Sequence, residues 1–159
     1  MRYYYKRNRF FNLKTILFLL ISISIIVLVF LFFSNLFDPE KKAARALELF
    51  YSYEQAGDYS NSWELFHSQM KDKFEKNYYI QERTYMYKEN LGVSTFDFNY
   101  NIVEELPKWR MSQESGEIMK VYHYTVSQSF QGKYGTFTIQ QPVYVTMEGE
   151  KWVILWNYN

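Results

Sequence analysis

Three side chains have the chemistry to move a proton: His67, His123 and Asp97. An imidazole titrates near neutrality and a carboxylate held out of water accepts protons readily, so each qualifies by type as a general acid or base. Their sequence surroundings argue against that use. His123 stands between Tyr122 and Tyr124, so on a strand it faces away from both rings. Asp97 alternates with Phe96 and Phe98 and is assigned to solvent; His67 follows a short helix and is read as a surface or capping residue. None belongs to a motif, and titratable groups without one seldom prove catalytic. No His, Asp or Glu cluster has metal-ligand spacing, no glycine-rich loop precedes a helix to cradle phosphate, and a chain without cysteine has neither thiolate ligands nor disulfides. No catalytic, metal or cofactor residue is assigned, and the chain is read as a non-enzyme that uses no cofactor.

The aromatic residues carry a second chemistry. Trp63, Tyr87, Tyr122, Tyr124, Trp152 and Trp156 have the composition of a pocket lining for a small apolar ligand. They equally suit the core of a domain that has no covalent staples, since each ring buries on the order of 150–250 Å². With 16 Tyr, 14 Phe and 4 Trp in the chain, the core reading is preferred and the ligand is the less favoured one.

The elements that position these residues follow from periodicity. Asp38-Pro39-Glu40 opens a helix that runs to Ala56, with Ala43, Leu47, Phe50 and Glu54 near one stripe and Gly57 as its left-handed stop. A short helix around Asn61–Phe66 follows Asp58, and Met70–Phe74 makes a turn or two. Asn77 is expected to cap a longer helix, Tyr78–Asn90, with Ile80, Thr84, Tyr87 and Leu91 on its stripe and Gly92 closing it. The period then changes to two. Phe96, Phe98, Tyr100 and Ile102 alternate with polar residues, and Pro107 with the polar run 112–117 is expected to end that strand. A strand Ile118–Phe130 puts Tyr122, Tyr124, Val126 and Phe130 on one face. The loop 132–135 leads into Thr136–Met147, where Pro142 predicts a bulge or an edge position. Glu148-Gly149-Glu150 turns into a last strand with Trp152, Ile154, Trp156 and Tyr158 on a face. Three helices followed by four antiparallel strands is an α+β pattern, a curved sheet wrapping helices on its concave side.

Ahead of this domain lies an uncharged stretch, Thr15–Phe33. At 1.5 Å per residue its nineteen residues reach roughly 28 Å, the hydrocarbon thickness of a bilayer. Residues 15–36 are read as a retained transmembrane helix, since Ser34-Asn35-Leu36-Phe37 is a poor cleavage site. Arg2, Lys6, Arg7, Arg9 and Lys14 precede it without an acid, which orients residues 1–14 to the cytoplasm and residues 38–159 outward. Tyr3, Tyr4, Tyr5, Phe10 and Phe11 suit the headgroup layer. With five of the 18 basic residues before the span, 13 remain against 17 acids, a net charge of −4 for the outer part. That sign excludes a nucleic-acid interface, whose footprint is a basic face. The connection to the domain is about four residues, so the domain is expected close to the bilayer. The abundance of Lys, Asn, Ile and Tyr fits a Gram-positive bacterium of low GC content.

Ala46, Phe50 and Ala56-Gly57-Asp58-Tyr59, then Leu91-Gly92-Val93 and the closing Gly-Glu-Lys-Trp-Val-Ile-Leu-Trp at 149–156, resemble the nuclear transport factor 2-like superfamily. The nearest branch is the extracytoplasmic N-terminal domain of class B penicillin-binding proteins of the methicillin-resistance type, which also follows one membrane helix. The resemblance covers roughly residues 40 to 158 and implies a cone-shaped fold and an envelope location. No transpeptidase domain is expected after Asn159, and the chain is read as holding no Ser-x-x-Lys nucleophile motif anywhere, so the resemblance implies the fold without the usual enzyme. Other members, the ketosteroid isomerases and polyketide cyclases, use a carboxylate or His in the cone; none of those residues is transferred here. Two functions are thus expected. The first is a non-catalytic, membrane-tethered accessory domain with an envelope protein partner in cell-wall synthesis, sporulation or conjugation-type machinery. The second is a small-ligand or isomerase-like domain using the cone cavity. An exposed aromatic patch on the convex face would mark the first. A pocket converging on a carboxylate or His would mark the second.

Overall fold

The computed structural model describes residues 13–36, 38–133 and 135–157. The chain divides into two units, Met1–Asp38 and Pro39–Asn159. The expected basic and aromatic N-terminus lies almost wholly outside the described residues, as do Tyr134 of the hairpin loop and Tyr158.

Among its described residues the first unit holds one helix, α1 (Leu13–Leu36), within which Lys14–Phe32 is long and apolar enough to cross a membrane. Its large apolar side chains are exposed from Ile16 to Phe32 except where serine intervenes. Ser22 donates its hydroxyl to the Phe18 carbonyl at 2.9 Å, so its polar group is satisfied within the helix.

The second unit is α+β. Its helices are α2 (Pro39–Gln55), α3 (Tyr59–Glu64), α4 (Ser68–Lys73) and α5 (Lys76–Tyr85), the last running on into a π-helical segment, Met86–Asn90. Four strands follow, β1 (Asp97–Trp109), β2 (Ile118–Gly132), β3 (Gly135–Glu148) and β4 (Lys151–Trp156), antiparallel in the order β1-β2-β3-β4.

Local chemistry explains the helix ends. Gly57 at φ +73 lets its own N–H reach Glu54 O and the Asp58 N–H reach Tyr53 O, closing α2 as expected. Asp58 then caps α3 by accepting from Asn61 N–H. The cap of α5 is Glu75 rather than Asn77, because its carboxylate reaches the N–H groups of both Asn77 and Tyr78 at 3.2 Å. Beyond Tyr85 the ladder widens: Leu91 N–H bonds the Met86 carbonyl five residues back. The inward stripe of this helix is Tyr79, Arg83 and Tyr87, one residue off the expected Ile80–Thr84 line. That offset turns the Arg83 guanidinium toward the interior, where it meets an acid.

The sheet departs from expectation at Pro107, while Pro142 takes the edge position, one of the two alternatives expected of it. β1 continues through Pro107 to Trp109, since β1 is an edge strand and a missing N–H on its open side breaks no ladder. Pro142 causes no bulge; its pairing with Thr125 keeps register. The β3–β4 ladder begins at Val143–Trp156, so Pro142 lies just past its end. The bulge lies instead at Val103, between the pairs Ile102–Tyr124 and Glu104–His123.

One face of the sheet carries the helices. Tyr124 donates to Glu40 O at 3.2 Å, Tyr100 to Glu48 at 2.5 Å, and Gln55 reaches Phe96 O at 2.7 Å, so α2 lies along the sheet from Tyr124 to Phe96. Phe50 and Phe66 meet the Trp156 ring at 5.9 and 5.1 Å. The edge of β4 is covered by the link between α3 and α4, where Ile154 N–H donates to Leu65 O and His67 N–H to Ile154 O. On the other face Trp109 stacks on Tyr144 at 4.1 Å, with Val121, Val153 and Leu155 also buried there. Toward the β2–β3 hairpin that outer face is polar, with Asn99, Asn101, Ser127, Ser129, Thr138 and Gln140 at its surface.

Candidate functional site

An acid on an apolar helix stripe must find a cation or lose its charge. Glu54 is that acid. It follows Ala43, Leu47 and Phe50 along the buried face of α2, and its side chain is fully buried. Four donated hydrogen bonds hold its carboxylate. Oε1 accepts from Ser62 Oγ at 2.5 Å and from the Tyr79 hydroxyl at 2.7 Å. Oε2 accepts from Arg83 Nε at 2.7 Å and from Arg83 Nη2. Arg83 Nη2 donates further to the Tyr87 hydroxyl at 3.1 Å, and Gln128 Nε2 reaches the same hydroxyl at 3.3 Å. The network thereby joins α2, α3, α5, the π-helical segment and β2.

Rings close around the guanidinium. Arg83 lies 5.8 Å from the Tyr79 ring centre, 5.1 Å from Tyr87 and 5.3 Å from Trp156. Burial works against the Arg83 charge, but the Glu54 carboxylate outweighs it and holds the guanidinium above its ordinary pKa. Burial raises Tyr79 and Tyr87 as well, so both stay neutral, Tyr79 donating to Glu54 and Tyr87 accepting from Arg83 and Gln128. Chemically this is a sealed ion pair. Every lone-pair direction of the Glu54 carboxylate that the network reaches is taken, which leaves it poorly placed to accept a proton from a substrate.

The six aromatic residues read as pocket-lining are divided among separate contacts. Tyr87 and Trp156 flank Arg83. Tyr122 packs on Trp152 at 5.8 Å, and Tyr124 meets Tyr100 edge-on at 5.8 Å. Trp63 donates its indole N–H to Phe74 O at 2.7 Å and lies under the ammonium groups of Lys71 and Lys76. Tyr87, Tyr122 and Tyr124 are buried core residues.

The three proton-transfer candidates are also apart. His67 caps α4, its Nδ1 accepting from Gln69 N–H at 3.1 Å, and its Nε2 lies 3.5 Å from Glu148. His123 stacks on Tyr144 at 4.7 Å across the outer face, with Glu104 3.7 Å from its Nδ1. Asp97 is exposed at the start of β1. Contrary to the sequence reading, one Ser-x-x-Lys spacing does occur: Ser68-Gln69-Met70-Lys71, on α4. The structure separates the pair. Ser68 Oγ donates to Glu148 at 2.5 Å, while Lys71 Nζ donates to Glu64 O at 2.9 Å beside Trp63, so the amine is not in place to activate the hydroxyl.

Sequence reasoning places Glu54 on the stripe and Tyr87 in the interior but does not pair them with Arg83. The available signal is an acid amid Ala43, Leu47 and Phe50, together with an arginine four residues from each of two tyrosines. No protein-family model matches the chain, and no curated protein matches it.

Proposed function

We propose that this protein is a membrane-anchored, non-catalytic accessory domain of the nuclear transport factor 2-like kind, held outside the cytoplasm and bound to an envelope protein assembly. The observation that carries this reading is the closed Glu54 carboxylate. It is the one acidic side chain buried among the described residues, and Ser62, Tyr79 and Arg83 occupy it. The inner side of the sheet is thus committed to holding helices together. α1 supplies the anchor, and the basic residues before it supply the orientation.

Because the chain has no cysteine, single-cysteine variants test the reading cleanly. Glu150→Cys, in the β3–β4 turn, should react in intact cells with a maleimide that cannot cross the membrane, and the chain should resist carbonate extraction. A photocrosslinker on the same domain should then capture one defined envelope protein. Labelling only after lysis would overturn the orientation. Capture of nothing but lipid or a small molecule would overturn the accessory role and favour the ligand-binding alternative.

A further inference from the structure

Ile102 and Val103 are adjacent, 40% and 52% exposed, and stand at the β1 bulge. The extra residue leaves Val103 without a partner on β2, so two branched apolar side chains are presented side by side where an unbroken strand would bury one face. Their place in the fold is specific. Tyr124, the β2 partner of Ile102, donates to the carbonyl of Glu40, the second residue of α2. The bulge therefore flanks the start of α2. Pro39 follows Leu36 by three Cα steps, so the covalent chain alone limits their separation to about 11 Å. The acids beside the bulge are engaged: Glu104 by His123 at 3.7 Å and Glu105 by Lys120 at 3.9 Å.

We propose that the Ile102–Val103 bulge is a second membrane contact, seated in the interfacial layer of the bilayer that α1 crosses. The occupant is a lipid surface because the apolar pair belongs to the end of the domain that the short connection keeps at that surface. The two acids that follow it, Glu104 and Glu105, each lie beside a basic side chain and the patch carries no cluster of cations, so the contact is driven by apolar burial and is insensitive to anionic lipid. The inference rests on the membrane-anchored reading of α1.

The test uses the full-length chain in phosphatidylcholine vesicles, with an environment-sensitive fluorophore on single cysteines and a lipid carrying a shallow acyl-chain quencher. Ser24→Cys reports on α1, Val103→Cys on the bulge, and Thr136→Cys on a point seven residues up β3 from Val143, about 23 Å along the sheet. The expected result is loss of intensity at positions 24 and 103 and none at 136, unchanged when phosphatidylglycerol is added. Quenching at 24 with position 103 no more quenched than 136 overturns the bulge contact and leaves the anchor standing. A blue shift at 103 without quenching means a second copy of the chain covers the bulge, and also overturns it. An unquenched position 24 removes the anchor and the inference together.

Discussion

Arg83 grips Glu54 through both Nε and Nη2, joining α5 to α2 across 29 positions of sequence. The Glu54 side chain is fully buried and that of Arg83 is 14% exposed, so neither charge is solvated well without the other. Glu54→Gln leaves a guanidinium buried without its counter-charge and should destabilise the fold by about 3–5 kcal/mol. Arg83→Met leaves the carboxylate with only Ser62 and Tyr79 and should cost a similar amount. The double substitution Glu54→Leu with Arg83→Met should cost clearly less than the sum of the single changes. Unfolding of the full-length chain in detergent, followed by tertiary circular dichroism, checks this. Additive losses would show that the pair is not coupled.

Much of the fold is legible in the sequence because its signals are local. Gly57 after an apolar stripe, the alternation from Phe96 to Ile102 and the glycine-bearing hairpins each need only a few neighbouring residues to be read. The Glu54–Arg83 pair is not, since its meaning depends on two helices packing together. Pro107 misleads for a related reason: a proline stops a central strand, and only the strand order shows that β1 is an edge. The Val103 bulge and the π-helical turn leave no composition signal at all. In the turn, Tyr87 stacks between Tyr59 and Phe96 at 5.8 and 5.6 Å.

Two buried tyrosines beside the ion pair should answer differently to loss of their hydroxyls. The Tyr79 hydroxyl donates to Glu54 at 2.7 Å, so Tyr79→Phe should cost about 1.5–3 kcal/mol, the range for a bond to a charged acceptor. The Tyr51 hydroxyl is buried and meets no well-formed hydrogen bond among the described residues; burial holds its pKa well above the ordinary tyrosine value, with a weak opposing pull from the Trp156 indole. Tyr51→Phe removes a desolvated group and loses no well-formed bond, so Tm should stay level or rise. A fall in Tm at Tyr51→Phe as large as that at Tyr79→Phe would mean that an internal water satisfies the hydroxyl.

Gly57 offers a test of backbone strain alone. At φ +73 it borders open space, with no atom within 4 Å of the point where a Cβ would stand. Gly57→Ala should therefore cost about 1–2 kcal/mol from the left-handed conformation and nothing from crowding. Gly57→Asn should cost less, because asparagine enters that region more readily. Equal losses for the two variants would point to a hidden contact at the end of α2.

Acid should loosen the link between α4 and the sheet through His67. Burial lowers its pKa below the ordinary 6.5, against the opposing pull of Glu148 and Asp72. Protonation also ends the acceptance of the Gln69 N–H by Nδ1, since a charged imidazole has no lone pair for it. With the folded value below the unfolded one, the unfolded chain binds the proton first. Stability is then full above 6.5 and falls as pH drops from there toward the folded value. Glu148 acts in a lower window. Burial raises it, but Ser68 and His67 outweigh that and lower its pKa, so its contribution persists down to its ordinary 4.5 and fades below. His67→Asn keeps a capping acceptor that does not titrate. The difference in Tm between about pH 7.5 and pH 5.5 should shrink in this variant relative to the parent chain, because the substitution removes the His67 imidazole and leaves every other titrating group in place. An unchanged difference would assign the acid sensitivity to another group.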